Sequence, residues 1–347
     1  MKLTIATLMT GLAVASTAHA QLGGILRRAE EARDQAKALA ISEDDERQIG
    51  AGVSERVRQR YGVVQDPGVH KYLTLVGAVL TQASSRRALP WKFIVLDTDG
   101  VNAFAAPGGY IHITRGALAL ARSEAELAGV LAHEITHVTE KHTIAAIEKQ
   151  KLVQRVSAEA LKGNQALLNA YVDKTFELVY AGFGRGEELE ADGKGVELAN
   201  KAGYAPASLR GFLTRLDERN KSATEKQGLF ASHPEMKERL SRLAKAIGDG
   251  TLASTATLAE RYAAHIAYQL KDQQQLVADT KKSGFDLTTL AKPGGGAERK
   301  SAEVTASGGS RGVDTERLAK GGGNQALVGV TVSAAEIVAF KKEGGLR

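Results

Sequence analysis

The sequence predicts a predominantly helical α+β fold in which a small antiparallel sheet lies beside one central helix. Three observations predict it. Apolar residues recur at spacings of three and four along much of the chain, the mark of helices with one buried face. Two short runs, residues 91 to 96 and 110 to 114, are instead strand-like, with the Pro107-Gly108-Gly109 turn between them. Finally, Ser123-Glu124-Ala125-Glu126 is a capping-box pattern, in which Ser123 caps and Glu126 reaches back, and it opens a strongly apolar helix.

Taken in order, residues 22 to 61 are charged and helix-prone, and Ser42-Glu43-Asp44-Asp45 resembles a helix start. Residues 67 to about 84 place Val69, Leu73, Val76 and Leu80 on one helical face, and Leu89-Pro90 breaks that pattern. The capped helix runs from Ser123 to about His142, with Leu127, Leu131, Ile135 and Val138 on the stripe that faces the core. Further helices are expected over residues 143 to 179, 187 to 202 (closed by Gly203), 206 to 219 and 233 to 247. Leu258, Tyr262, Ile266 and Leu270 extend helical periodicity through residues 251 to 290. Residues 293 to 323 are rich in Gly, Ser and charge, which predicts a flexible linker, and residues 326 to 340 regain apolar character.

At the N-terminus, Lys2 precedes an apolar run, and Ala18-His19-Ala20 supplies a small-x-small cleavage pattern. The run is shorter than the roughly 20 residues a membrane span needs. The expected organisation is a signal peptide at 1–20, a main domain at 21–250, a helical extension at 251–292, a linker at 293–325 and a C-terminal segment at 326–347. The mature chain is then expected to be exported, without a transmembrane span, to the periplasm or beyond.

With 347 residues, 43% of them hydrophobic and 25% charged, the chain can bury a sizeable core. A net charge of +6 is spread along the chain, and aromatics make up only 5%, so no basic stripe with interleaved rings points to nucleic acid. Cysteine is absent, which excludes disulfides, a thiol nucleophile and a Cys-rich metal knuckle. Any metal site must be built from His and carboxylates.

His133-Glu134-Ile135-Thr136-His137 supplies such a site. Histidines four apart on a helix differ by about 40° and project from one face, as two imidazoles must to share a tetrahedral zinc. Glu134 stands beside them to take a proton from water at that ion. The third ligand should be an acid, and Glu188-Leu189-Glu190-Ala191-Asp192 offers two that are four apart. One of Glu188 and Asp192 can bind the metal while the other orients a ligating histidine from behind. Glu190 reads as part of a solvated face. His142, about 140° round the helix from His137, reads as a buried or hydrogen-bonded histidine, and His70, His112 and His265 as ordinary polar positions.

These motifs and their neighbours resemble the M48 family of zinc metallopeptidases, which are gluzincins. Asn102-Ala103-Phe104-Ala105-Ala106-Pro107-Gly108-Gly109-Tyr110-Ile111 is similar to the family's strand-and-turn segment. The stretch from Ser123 to Glu134 is similar to its helix entry, Glu188 to Asp192 to its third-ligand motif, and His233-Pro234 with Arg239 to its C-terminal signature. The resemblance covers about residues 40 to 245. It implies a gluzincin-type domain holding one Zn2+ per chain on His133, His137 and Glu188, with Asp192 in support and Glu134 as the catalytic base. It further implies that Asn102, Ala103, Phe104, Ala105, Ala106 and Pro107 form an edge strand along which an extended substrate pairs its backbone. His233 is expected near the zinc or the substrate carbonyl, with Arg239 stabilising charge there. Gly184 and Gly193 depart from the family pattern, where Ser and Arg are common, and neither removes a ligand. The expected function is hydrolysis of unfolded or extended polypeptides in the cell envelope, in protein quality control. The alternatives are a chaperone-like binder of the same fold with latent peptidase activity and a structural envelope component.

Overall fold

Ser42 opens the first helix of the computed structural model, which describes residues 41–154, 165–221, 233, 236–271 and 322–347. Its hydroxyl accepts from the Asp45 N–H and starts α1 (Glu43–Tyr61), whose acidic first turn suits the positive end of the helix. Asp66 caps α2 (Pro67–Ala83) in the same way, with Pro67 in the first turn, where a missing N–H costs nothing. The α2 stripe buries Val69, Leu73, Val76 and Leu80 as the spacing predicts, with Tyr72 and Val79 beside them.

Three strands follow: β1 (Lys92–Leu96), β2 (Ala103–Ala106) and β3 (Tyr110–Thr114), in the spatial order β1-β3-β2. β2 and β3 form an antiparallel hairpin, Ala106 opposite Tyr110, around a 3-10 turn at Pro107–Gly109, so that turn joins β3 to residues 103–106 and not to residues 91–96. β1 lies parallel to β3 on the other side, Phe93 opposite Ile111, so the sheet is mixed rather than antiparallel throughout. The reason is that β3 inserts between the two strands that precede it and is buried on both faces. Strand alternation then divides the core. Phe93, Val95, Ala103, Ala105, Ile111 and Ile113 pack in one cluster with α2 residues, while Ile94, Leu96, Phe104 and Ala106 join Ile49, Val53 and Val57 of α1 in a second.

Thr114 caps the short α3 (Arg115–Leu120), and Ser123 caps α4 (Glu124–Thr139), in which every residue from Glu124 to Val138 is buried. The capping box is half formed: Ser123 accepts from the Glu126 N–H, but Glu126 accepts from the Arg122 N–H and pairs with Arg215. α4 also stops earlier than expected. Lys141 adopts φ 57, and a new helix, α5 (His142–Gln154), begins at once. The expected helix over 143 to 179 is thus two, α5 and α6 (Gln165–Ala181), with residues 155–164 outside the described set. α7 (Arg185–Ala202), α8 (Ala207–Lys221) and α9 (Met236–Gly248) complete the main body, with His233 just ahead of α9 rather than inside it.

Two glycines let α7 and α8 close on α4. A Cβ at Gly195 would lie 3.1 Å from the backbone nitrogen of His133, and one at Gly129 would lie 2.9 Å from the Leu209 Cβ. The first contact brings the acidic face of α7 onto the histidines of α4.

Of the helix expected over 251 to 290, only α10 (Ala259–His265) forms among the described residues, and 272–290 lie outside them. Residues 251–258 are not helical because their carbonyls serve other elements: Thr257 accepts from the Ala125 N–H and Ala256 from the Ala205 N–H. Residues 1–20 of the expected signal peptide and residues 293–321 of the expected linker are also outside the described set. Residues 322–325 run along the main body, where Asn324 accepts from the Val63 N–H and Asp97 from the Gly322 N–H. α11 (Ala334–Glu343), opened by a Ser333/Glu336 capping box, lies on α2 and buries Ile337 and Phe340. Among the described residues no helix is long and apolar enough to cross a membrane.

Candidate active site

α4 presents His133, Glu134 and His137 in one turn and a half, and α7 presents Glu188 and Asp192 on the face that Gly195 brings close. The Nε2 atoms of His133 and His137 are 3.1 Å apart. Glu188 completes a triangle, with Oε1 3.4 Å from His137 Nε2 and Oε2 3.6 Å from His133 Nε2. Donors about 2.0–2.1 Å from one tetrahedral ion are spaced by about 3.3–3.4 Å. The three protein donors already have that spacing, and their two-nitrogen, one-carboxylate chemistry is that of a catalytic zinc site. The residues therefore fit the metal that the sequence implies.

The supports of the two histidines differ. Behind His133, Asp192 Oδ1 lies 3.0 Å from Nδ1. Behind His137, Nδ1 meets Nδ1 of His142 at 2.8 Å, and His142 Nε2 lies 3.3 Å from Glu190 Oε2. The helix break at Lys141 makes this second contact possible, because on a continuous helix His142 would point elsewhere. Lys194, hydrogen-bonded to Glu190, holds that carboxyl below its usual range. The Phe183 ring, from the Gly-rich loop before α7, stacks on His137 at 4.0 Å and 13°.

Arg239 is buried beneath both acids. Its Nε and Nη2 donate to Asp192 at 2.7 Å each, and Nη1 donates to the His233 carbonyl and lies 2.9 Å from Glu188 Oε2. Burial opposes ionisation of Glu188 and Asp192, but the neighbouring charges win. His233 and Arg239 hold the Glu188 carboxyl well below its usual range, and Arg239 holds Asp192 down at about 2. Burial lowers the His137 imidazole well below its ordinary value, so it is neutral and able to ligate. His233 Nδ1 sits 2.8 and 2.9 Å from the two Glu188 oxygens and 3.3 Å from His133 Nε2. One donor atom from each of His133, His137, Glu188 and His233 lies within 4.8 Å of the others.

Glu134 stands apart. It is 1% exposed, and neither carboxylate oxygen has a hydrogen-bond partner. The nearest basic group is His233, whose Nε2 is 3.7 Å from Oε1. Burial raises its pKa, as suits a proton acceptor. It borders a cavity of ≈ 10 Å³ whose apolar wall is Val130, Leu209 and Leu213. Cavities of about 10–15 Å³ hold one water.

Peptidase family M48 matches residues 68–247, more than half of the chain. The chain belongs to this family. It is 27% identical over 251 residues to a beta-barrel assembly-enhancing protease of Yersinia pestis, covering 68% of this chain and 52% of the relative. The corresponding protease of Escherichia coli K12 is 24% identical over 250 residues, 68% of this chain and 50% of its own. The mitochondrial metalloendopeptidase OMA1 of Schizosaccharomyces pombe is 27% identical over 209 residues, 58% of this chain and 61% of its own. The chain thus spans about half the length of the bacterial relatives it matches.

Within this M48 domain the structure brings His133, Glu134, His137, Glu188, Asp192, His233 and Arg239 together. Residues 102–107 pack against α4, where β2 is the edge of the sheet and all four of its residues are buried. Asn102 pins that edge through paired bonds between its backbone and Thr114 Oγ1. Sequence reasoning missed Phe183 and the link from His142 to Glu190. The Gly182-Phe183-Gly184 loop was the available signal for the first, an aromatic ring placed directly before α7. The second depends on a helix break that no glycine or proline announces.

Proposed function

We propose that the chain is a zinc-dependent endopeptidase that cuts unfolded or extended polypeptides in the cell envelope, in protein quality control. The observation that carries the reading is Glu134, a buried carboxylate with no hydrogen-bond partner beside three donors at zinc spacing. A zinc ion held by His133, His137 and Glu188 would polarise the scissile carbonyl and acidify water. Glu134 takes the proton as water attacks and returns it to the leaving amine. Asp192 holds His133 in orientation, and Arg239 keeps Asp192 and Glu188 ionised and in place. Its donors are directed to those acids and to the His233 carbonyl, so its role is positioning rather than contact with the substrate. His233 rests in the donor cluster as a fourth group and keeps the site latent until it moves.

Substrate capture is assigned to the β2 edge, residues 102–107, where an extended chain would add a strand with little side-chain selectivity. The names of the relatives, all proteases, support peptide hydrolysis, and the cleavage pattern after Ala20 supports export. A pure binding protein of this fold would have no use for an unpartnered Glu134. Purified wild type is expected to carry about one zinc per chain and to cut casein until a chelator is added. Wild type without zinc by elemental analysis, or undiminished zinc in His137→Ala, would sink the assignment.

A further inference from the structure

The two histidines on α4 need the same thing, an Nε2 lone pair turned towards Glu188, and they are given it by different means. A neutral imidazole carries one N–H, so the partner of Nδ1 decides whether Nε2 keeps its lone pair. For His133 the partner is a carboxylate, Asp192, which can only accept. Nδ1 is therefore the protonated nitrogen, and Nε2 is free. For His137 the partner is another imidazole, and two Nδ1 atoms 2.8 Å apart can share only one proton. Which ring owns it is decided one step further out, at Glu190.

We propose that His142 and Glu190 form a relay that fixes His137 as an Nε2 metal ligand. The ionised Glu190 accepts, so His142 carries its proton on Nε2, 3.3 Å from Oε2. With that proton on Nε2, His142 offers the lone pair of Nδ1 to the N–H of His137 Nδ1, and His137 Nε2 is left bare, 3.1 Å from His133 Nε2 and 3.4 Å from Glu188 Oε1. Phe183, stacked on His137, stops the ring from flipping out of this register. The charge that sets the relay sits outside: Glu190 is half in solvent and paired with Lys194, while His142 is buried. His142 and Glu190 are positioning residues, since neither belongs to the donor cluster itself.

The inference rests on the zinc-site reading, and zinc affinity of the full chain, measured by competition with a chromophoric chelator, separates the two. His142→Phe, which keeps a ring but offers no acceptor, should weaken zinc binding by about 10–100-fold. His142→Asn, which places an amide group near the position of Nδ1, should restore most of it. Glu190→Ala should weaken binding less than His142→Phe, since water can accept in place of an exposed carboxylate. In the metal-free wild type, nitrogen NMR should show His137 protonated on Nδ1. Wild type that binds zinc, with His142→Phe binding it equally tightly, or His137 protonated on Nε2, would overturn the relay alone. Wild type that binds no zinc would overturn the site reading as well.

Discussion

Glu124 and Glu134 lie on the same helix, each almost wholly out of reach of water, yet the first is ringed by donors and the second has none. Glu124 accepts from Tyr72 and Tyr204 at 2.8 and 2.7 Å and forms a two-point pair with Arg261, whose Nε is at 2.6 Å. It also sits in the first turn of α4, where the helix dipole favours an anion. A carboxylate so placed ties α2, α4, α10 and the residues after α7 into one unit. Glu134 is buried without a hydrogen bond, and only groups not bonded to it, His233 foremost, offset that cost. The fold could have satisfied it as it satisfied Glu124. That it leaves those oxygens bare, beside the donor cluster, is what the proposed role as base requires.

The contrast is broken most directly at Glu134. Glu134→Gln should lower the rate of peptide cleavage by about 10²–10⁴, with zinc content kept and thermal stability no worse than wild type. Cleavage within tenfold of wild type would remove Glu134 from the role of base. The mirror substitution, Glu124→Ala, should leave Arg261 and two tyrosine hydroxyls without their acceptor and cost about 3–5 kcal/mol of stability in urea unfolding. A loss of cleavage with unfolding unchanged would instead place Glu124 in the chemistry. His233→Ala sharpens the contrast from another side, because it removes the basic group nearest Glu134. If His233 closes the site at rest, and open states of such equilibria are populated at roughly 0.1–10%, basal cleavage of a small peptide should rise about tenfold or more. A fall in rate would make His233 a partner in the reaction and not a plug. The smallest effect is expected at the exposed pair of Arg56 and Asp173, where Asp173→Asn should change stability by no more than about 1 kcal/mol. A larger loss there would mean that burial is not what separates Glu124 from an ordinary ion pair.

Much of the catalytic half was legible because it is written in helical period. The Ser123 cap, the stripe from Leu127 to Val138, and the four-residue spacings of His133 with His137 and Glu188 with Asp192 are local facts. Elements whose conformation is set by distant partners were harder to read. Leu258, Tyr262, Ile266 and Leu270 keep a period of four, yet residues 251–258 are unwound by the N–H groups of Ala125 and Ala205. The mixed sheet follows from the insertion of β3 between β1 and β2, which no local pattern encodes. Lys141 is the sharpest case. A lysine in the left-handed region has no sequence signature, and on that one residue turns the contact of His142 with His137.

The return of the last residues to the main body can be put in terms of binding. Residues 322–347 reach Val63 and Asp97 at one end and Ala202 at the other, while Arg261 donates to the Phe340 carbonyl and lies 3.9 Å over its ring. The segment is, in effect, a ligand of its own domain, tethered through residues 272–321. A covalent connection makes the attachment intramolecular, without adding a contact. Cutting it with an engineered protease site would turn a concentration-independent attachment into an ordinary bimolecular one. The severed segment would then stay in place in a concentrated solution and leave on dilution, and the dilution at which it leaves reads out the affinity of the C-terminus for the domain.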